Sequence, residues 1–124
     1  MKIIIADDIF INRLLIVEIV KSQGHIIIEA ENGKQAIEEL KKDPSVDMVL
    51  MDIEMPVMNG IEATRYIRES MPSPTNNIPV IALTAHNPKL FFEDYKDVGF
   101  SQLLTKPYSI EKIVRVINEF NKKP

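Results

Sequence analysis

The chain has no cysteine, which removes disulfides, thiolate metal ligands and thiol nucleophiles from consideration. A chain without disulfides fits a reducing compartment. No apolar run approaches the length needed to cross a bilayer. The opening MKIII, followed by ADD, lacks the long apolar region of a secretory signal. The expectation is a cytoplasmic protein with no membrane partner. Positive charge is not in excess either: the formal net charge is −3, so no general affinity for nucleic acid is implied. Internal repeats, low-complexity tracts and interdomain linkers are also missing.

What is present is ordinary globular material. The 124 residues are 45% hydrophobic and 27% charged, enough for one domain, 1–124, with a real core. Four short apolar runs stand out because each ends in a reactive polar residue. IIIA (3–6) ends at Asp7-Asp8, MVLM (48–51) at Asp52, VIAL (80–83) at Thr84, and LLT (103–105) at Lys106. Runs of this length without polar alternation suit strands of a parallel sheet covered on both faces.

Helix signals alternate with these strands. Residues 10–22 are mostly apolar, and Gly24 stops that helix. His25 to Glu29 reads as a second strand. Asn32 caps a helix through about 42, with Gln35 three residues on, and Asp43-Pro44 ends it. Residues 47–51 form the third strand, Asn59-Gly60 marks a turn, and a helix follows to about Ser70. The segment 71–79 holds three prolines and reads as a loop. Strand four is 80–84. Asn87 and Pro88 open the next helix, which Gly99 closes. Residues 101–105 form strand five. Ser109 caps a last helix in which Ile110, Ile113, Val114 and Ile117 follow helical spacing.

Five βα units imply an α/β fold: a doubly wound, five-stranded parallel sheet of the flavodoxin-like kind, with five helices on its two faces. Strand order 2-1-3-4-5 fits this count. Parallel strands bring all their C-terminal ends to one edge, where open α/β sheets bind ligands. Strands 1 and 3 become neighbours, so Asp7, Asp8 and Asp52 converge.

Three close carboxylates stay ionised together only if a cation offsets them. An all-oxygen set without His or Cys favours Mg2+. A carboxylate can attack a phosphoryl donor, while a metal and a lysine neutralise the developing charge. Asp52, the lone acid at the C-terminal end of the central strand, is the best nucleophile. Lys106 supplies the ammonium, and Thr84 has a hydroxyl to offer a phosphoryl oxygen. Each residue alone is weak, since an Asp at a strand end is ordinarily a cap and a Thr in a strand is ordinarily there for β propensity. Their joint placement at four strand ends carries the inference.

At this point the chain resembles the receiver domain of two-component response regulators over essentially its whole length. The matching motifs are ADD (6–8), MDIEMPVMNG (51–60), ALTA (82–85) and LTKP (104–107). The resemblance implies a phosphorylation-dependent switch rather than an enzyme, although one that takes part in its own phosphorylation and dephosphorylation. It implies Asp52 as phosphoacceptor, Asp7 and Asp8 as the acidic pair for Mg2+, Thr84 as the switch hydroxyl and Lys106 as the phosphoryl-contacting lysine. The backbone carbonyl of Glu54 would be a further metal ligand. Glu54 and His86 hold positions that border the phosphoryl site in this family. INRLL (11–15), MPVMNG and LTAH are similar to receivers of hybrid sensor histidine kinases. One departure stands out: receivers usually carry Tyr or Phe where this chain has Leu103, and Phe91, Phe92, Tyr95, Phe100 or Tyr108 are the aromatics available to take over. Neither His25 nor His86 suits a phosphohistidine, so the chain reads as acceptor rather than donor.

Three other readings stay open on the residues. A haloacid-dehalogenase-like phosphatase also uses an aspartyl phosphate, but places an Asp where Glu54 stands. A pseudo-receiver would bind partners without phosphorylation. A flavodoxin-like electron carrier would need a hydroxyl- and glycine-rich loop where this chain has DDIFINR. The first helix is apolar on more than one side, so an exposed apolar patch is expected there. A histidine kinase or histidine phosphotransfer domain would dock over helix 1 and the 106–108 loop, with contacts among Asn12, Arg13, Leu14, Pro107 and Tyr108.

Overall fold

Strands and α-helices alternate along the described residues. The structure, a computed structural model, describes residues 1–85 and 87–121. The strands are β1 (Lys2–Ala6), β2 (Ile26–Ala30), β3 (Met48–Asp52), β4 (Val80–Thr84) and β5 (Gln102–Thr105). The helices are α1 (Phe10–Ser22), α2 (Gly33–Lys42), α3 (Gly60–Ser70), α4 (Pro88–Tyr95) and α5 (Ile110–Phe120). All strands are parallel and lie in the order β2-β1-β3-β4-β5. The doubly wound architecture, the order and the five helices agree with the sequence reading.

The central strands β1, β3 and β4 are mostly apolar because both their faces are covered. On one face Ile3, Ile5, Leu50, Ile81, Leu83 and Leu104 pack beneath α1 and α5 through Ile16, Val20, Ile113 and Ile117. On the other, Ile4, Ala6, Val49 and Met51 pack beneath α2 and α3 through Ala36, Ile37, Leu40, Ala63 and Ile67. A smaller cluster of Ile53, Ala82, Phe91 and Leu103 seats α4. Truncating a side chain such as Ile4 to Ala would cost about 2–5 kcal/mol. Among the described residues, no helix is long and apolar enough to cross a membrane.

Local signals set the boundaries. Asn32 accepts the Gln35 N–H at 2.9 Å, while the Gln35 side chain accepts the Glu31 N–H at 2.7 Å. Asn59 and Glu62 close a reciprocal capping box at the head of α3. Ser109 accepts the Lys112 N–H at the head of α5. Some boundaries differ from expectation. β2 runs one residue later than 25–29, and β5 begins at Gln102 rather than Ser101. The 71–79 loop contains a short 3-10 turn, Thr75–Asn77. α4 ends at Tyr95, and Gly99, at φ +105°, serves the turn into β5 instead of the helix end. A side chain there would also meet Arg68, whose guanidinium bonds the Gly99, Asn76 and Ile78 carbonyls.

Candidate active site

The parallel register delivers the predicted residues to one edge. Asp7 follows directly on β1 and extends its ladder, its N–H donating to the Ala30 carbonyl at 3.1 Å. Its Oδ1 accepts the Ile9 N–H at 2.9 Å, an Asx-type turn that bends the chain into α1. Its Oδ2 is buried and has no hydrogen-bond partner. Asp8 is exposed beside it, and Asp52 is the last residue of β3 and buried. Carboxylate oxygens of Asp7, Asp8 and Asp52 all lie within 4.8 Å of one another. At that separation each like-charged pair repels by about 3.5 kcal/mol at an effective dielectric of about 20.

Lys106 answers part of this charge. Its Nζ lies 3.2 Å from Asp52 Oδ1, and its backbone N–H donates to the Thr84 carbonyl at 2.8 Å. Pairing of Leu83 with Leu104 and of Thr84 with Thr105 places Lys106 beside Thr84, which is itself buried at the end of β4. Burial pushes the Asp52 carboxyl up to about 6, and the Asp7 carboxylate adds to the rise. Lys106 and the Ile53 N–H pull the other way without cancelling it.

The floor of the site is shaped by the β3–α3 loop. Gly60 donates to the Ile53 carbonyl at 2.9 Å, and a Cβ at Gly60 would lie 2.1 Å from the Asp52 carbonyl oxygen. Only glycine permits that approach. Val57 sits at φ +68° in a γ-turn closed by the Met58 N–H on the Pro56 carbonyl at 2.7 Å, a strained conformation for a β-branched residue. The edge opens as two adjoining clefts of about 340 and 690 Å3. Asp52, Glu54, Tyr95 and Lys106 line both, with Thr84 in the first and Asp8 in the second.

The donor set fits a hard divalent cation. It is all oxygen, it holds uncompensated negative charge, and one buried carboxylate oxygen has no partner. Among the described residues it is the one acidic group of three close enough to share an ion. Glu54 is exposed at the cleft, so its backbone is within the site's perimeter.

Other expectations divide. Leu103 is buried against Ala82 and Phe91, filling the aromatic's place with core packing. Phe91 is core, with Phe92, Tyr95 and Phe100 ranged around it at centroid distances of 5.8, 5.1 and 5.4 Å. Only Tyr95 of that group reaches the clefts, a role that periodicity within an eight-residue helix does not reveal. Tyr108 packs on the α1–α5 core, its hydroxyl buried without a hydrogen-bond partner. Burial, then the Asp52 and Asp7 carboxylates, push that hydroxyl well above the usual phenol range. Phe10, Ile11, Leu14 and Leu15 are exposed along α1. Asn12, Leu15, Lys106, Pro107 and Tyr108 line a groove of about 370 Å3. Arg13 corrects the sequence reading: its side chain is buried and bonded internally, so it does not lie on that surface. His25 meets the amino group of Met1 at 3.0 Å. His86 lies outside the described residues.

Comparison with known proteins agrees with this fold. The family model of the response regulator receiver domain matches residues 3–118. The chain is 37% identical over 121 residues to hybrid signal transduction histidine kinase I of Dictyostelium discoideum, covering 94% of this chain but 7% of that protein. It is 32% identical over 119 residues to sporulation initiation phosphotransferase F of Bacillus subtilis, covering 96% of this chain and 92% of that one. Among solved structures it resembles the receiver domain of the sensor histidine kinase PA1611 from Pseudomonas aeruginosa. That likeness has a TM-score of 0.85 at 28% identity and covers 96% and 95% of the two chains. The Pseudomonas domain carries a magnesium ion coordinated in its active site cleft.

Proposed function

The chain belongs to the response regulator receiver domain family of two-component systems, and from that premise we propose that Asp52 is its phosphoacceptor and that residues 1–124 act as one receiver unit. The observation that carries this is the cluster itself: three carboxylates within 4.8 Å, with an ammonium 3.2 Å from the central one. Membership of this family sets aside the haloacid-dehalogenase phosphatase and the electron carrier.

Mg2+ is the cofactor that the donor set fits. Asp7, Asp8, Asp52 and the backbone carbonyl of Glu54 would hold it, and it would supply positive charge against the phosphoryl oxygens. The remaining work belongs to the chain. An Asp52 carboxylate oxygen attacks phosphorus as the phosphorus–nitrogen bond of a phosphohistidine breaks. The electron pair of that bond stays on the imidazole, and an acyl phosphate forms. Lys106 moves its contact from the Asp52 carboxylate to a phosphoryl oxygen. Thr84 donates its hydroxyl to another, drawing β4 toward the new group. The outcome is a shift between two states of one domain, driven by the phosphoryl group's differential affinity for them.

The donor would be a sensor histidine kinase or a histidine phosphotransfer protein. The exposed apolar residues of α1 and the groove beside Pro107 and Tyr108 support docking there, because that surface borders the edge from which Asp52 is reached. Nucleic acid and membrane play no part in this reading, and the cytoplasm is where such donors present their phosphohistidine. Intact-mass measurement with a small phosphodonor tests the assignment. The wild type gains one phosphoryl group with Mg2+ and none in chelator, and Asp52→Asn gains none. No gain in the wild type would mark a pseudo-receiver, and a gain that survives Asp52→Asn would move the acceptor elsewhere.

A further inference from the structure

Arg13 lies on the first helix, yet its guanidinium faces the acidic edge of the sheet. Nη1 donates to the Asp7 backbone carbonyl at 2.6 Å, and Nε donates to Glu29 Oε1 at 2.9 Å. The guanidinium carbon sits 5.6 Å from the centre of the Phe10 ring. Its side chain is 8% exposed, so the bond to the Asp7 carbonyl is buried, while the bond to the half-exposed Glu29 is only partly so.

The consequence falls on the two acids. Asp7 is held at its N–H by the Ala30 carbonyl and at its C=O by Arg13. Its Oδ1 accepts the Ile9 N–H, its Oδ2 has no hydrogen-bond partner, and the carboxylate lies within 4.8 Å of those of Asp8 and Asp52. The peptide bond is planar, so the Arg13 bond to the Asp7 carbonyl also fixes the plane from which Asp8 departs. One side chain thus orients both members of the acidic pair. Glu29 holds the fork from β2 and offsets its charge, so Arg13 acts on the site through geometry more than through its field. Lysine cannot reproduce this, because it lacks the rigid fork that bonds a carbonyl and a carboxylate at once.

We propose that Arg13 is a positioning residue for the divalent-cation site, holding the Asp7–Asp8 peptide plane while Glu29 holds Arg13. The proposal rests on the cation site described above. The test is a Mg2+ titration of isotope-labelled protein, read from the amide shifts of Asp7, Asp8 and Asp52, with unfolding midpoints recorded in chelator. Partners that orient metal ligands typically account for 10–100-fold in affinity, so Arg13→Ala is expected to raise the Mg2+ Kd about tenfold. Arg13→Lys raises it to within about threefold of that, and Glu29→Gln, which keeps an oxygen acceptor on a half-exposed side chain, raises it about two- to threefold. Glu29→Gln decides the matter if both Arg13 variants fail to fold. A lowered midpoint with unchanged Kd would make Arg13 merely structural and overturn the proposal. So would tighter Mg2+ binding in Arg13→Lys or Arg13→Ala, or an unaltered Kd in Glu29→Gln. If the wild-type amides ignore Mg2+, the cation site itself fails; if they respond and the variants match the wild type, only the role of Arg13 fails.

Discussion

The two edges of the sheet are built from the same residue types and behave in opposite ways. At the N-terminal edge Lys2 Nζ meets Asp43 at 2.7 Å and Ser45 at 2.9 Å, and the Lys2 N–H meets Asp47 at 2.8 Å. At the C-terminal edge Lys106 meets Asp52 with Asp7 and Asp8 close by. Asp43 is surrounded by donors, and the Lys2 and Ser45 hydrogen bonds hold it down at about 2. Asp52 is buried with too few donors and is pushed up to about 6. The first cluster is complete as it stands. The second carries excess negative charge and a buried carboxylate oxygen that no protein group satisfies. A lysine beside an aspartate therefore says little; what distinguishes the two edges is whether the aspartate is exposed and balanced by donors, or buried and left with excess charge.

The strongest way to break the comparison is to remove each lysine. Lys106→Ala is expected to slow phosphorylation by small donors about 100-fold or more, the scale of losing one preorganised charge donor. Lys2→Ala should leave that rate unchanged and cost at most about 1 kcal/mol of stability, as for a partly exposed ion pair. Equal rates in the two variants, measured by phosphoryl incorporation against time, would erase the functional difference between the edges.

A second test uses pH on the metal-free protein. The fold raises the Asp52 pKa, so it favours the protonated form. That contribution is complete below the ordinary value of 3.8 and is lost as pH rises through about 6. Asp52→Asn should therefore stabilise the chain by about 1–3 kcal/mol at pH 7, with the gain shrinking toward pH ~4.5. Asp43 has the opposite sign: its contribution is present above 3.8 and is lost as pH falls through about 2. Asp43→Asn should destabilise at pH 7. Denaturant unfolding at both pH values reads these signs, and a gain from Asp52→Asn that persists undiminished at the lower pH would contradict the burial argument.

A smaller effect sharpens the same contrast at the surface. Leu15 and Ile26 are both exposed apolar residues, the first beside the acidic edge and the second at the start of β2. Leu15→Asp is expected to slow phosphotransfer from a phosphohistidine partner about tenfold, the cost of roughly 1.4 kcal/mol of docking, while sparing a small donor. Ile26→Asp should slow neither. Equal losses by both routes in Leu15→Asp would place the damage in the site or the fold instead of in docking.

The sheet was legible because buried parallel strands are apolar throughout, and IIIA, MVLM and VIAL admit few other readings. The acidic edge followed from topology, since the order 2-1-3-4-5 makes β1 and β3 neighbours whatever their side chains. Arg13 departs from the sequence reading because a polar residue on a helix normally faces water; its partners are Asp7, just past β1, and Glu29 in β2, and no helical periodicity reports them. The end of α4 at Tyr95 was hidden for a similar reason. Gly99 looked like a helix stop, but its positive φ serves the turn into β5 and the close approach of Arg68. The partnerless hydroxyl of Tyr108 depends on how α1 and α5 pack, which local pattern does not encode.

The most direct measurement is to trap the modified residue. Borohydride reduces an acyl phosphate of aspartate to homoserine, and peptide mass spectrometry then locates it. After treatment with a small phosphodonor and Mg2+, homoserine is predicted at position 52 and at none of 7, 8, 43 or 47. Homoserine at 43 or 47, or its absence from 52 in protein that has gained a phosphoryl group, would contradict the assignment of the buried, unbalanced edge as the reactive one.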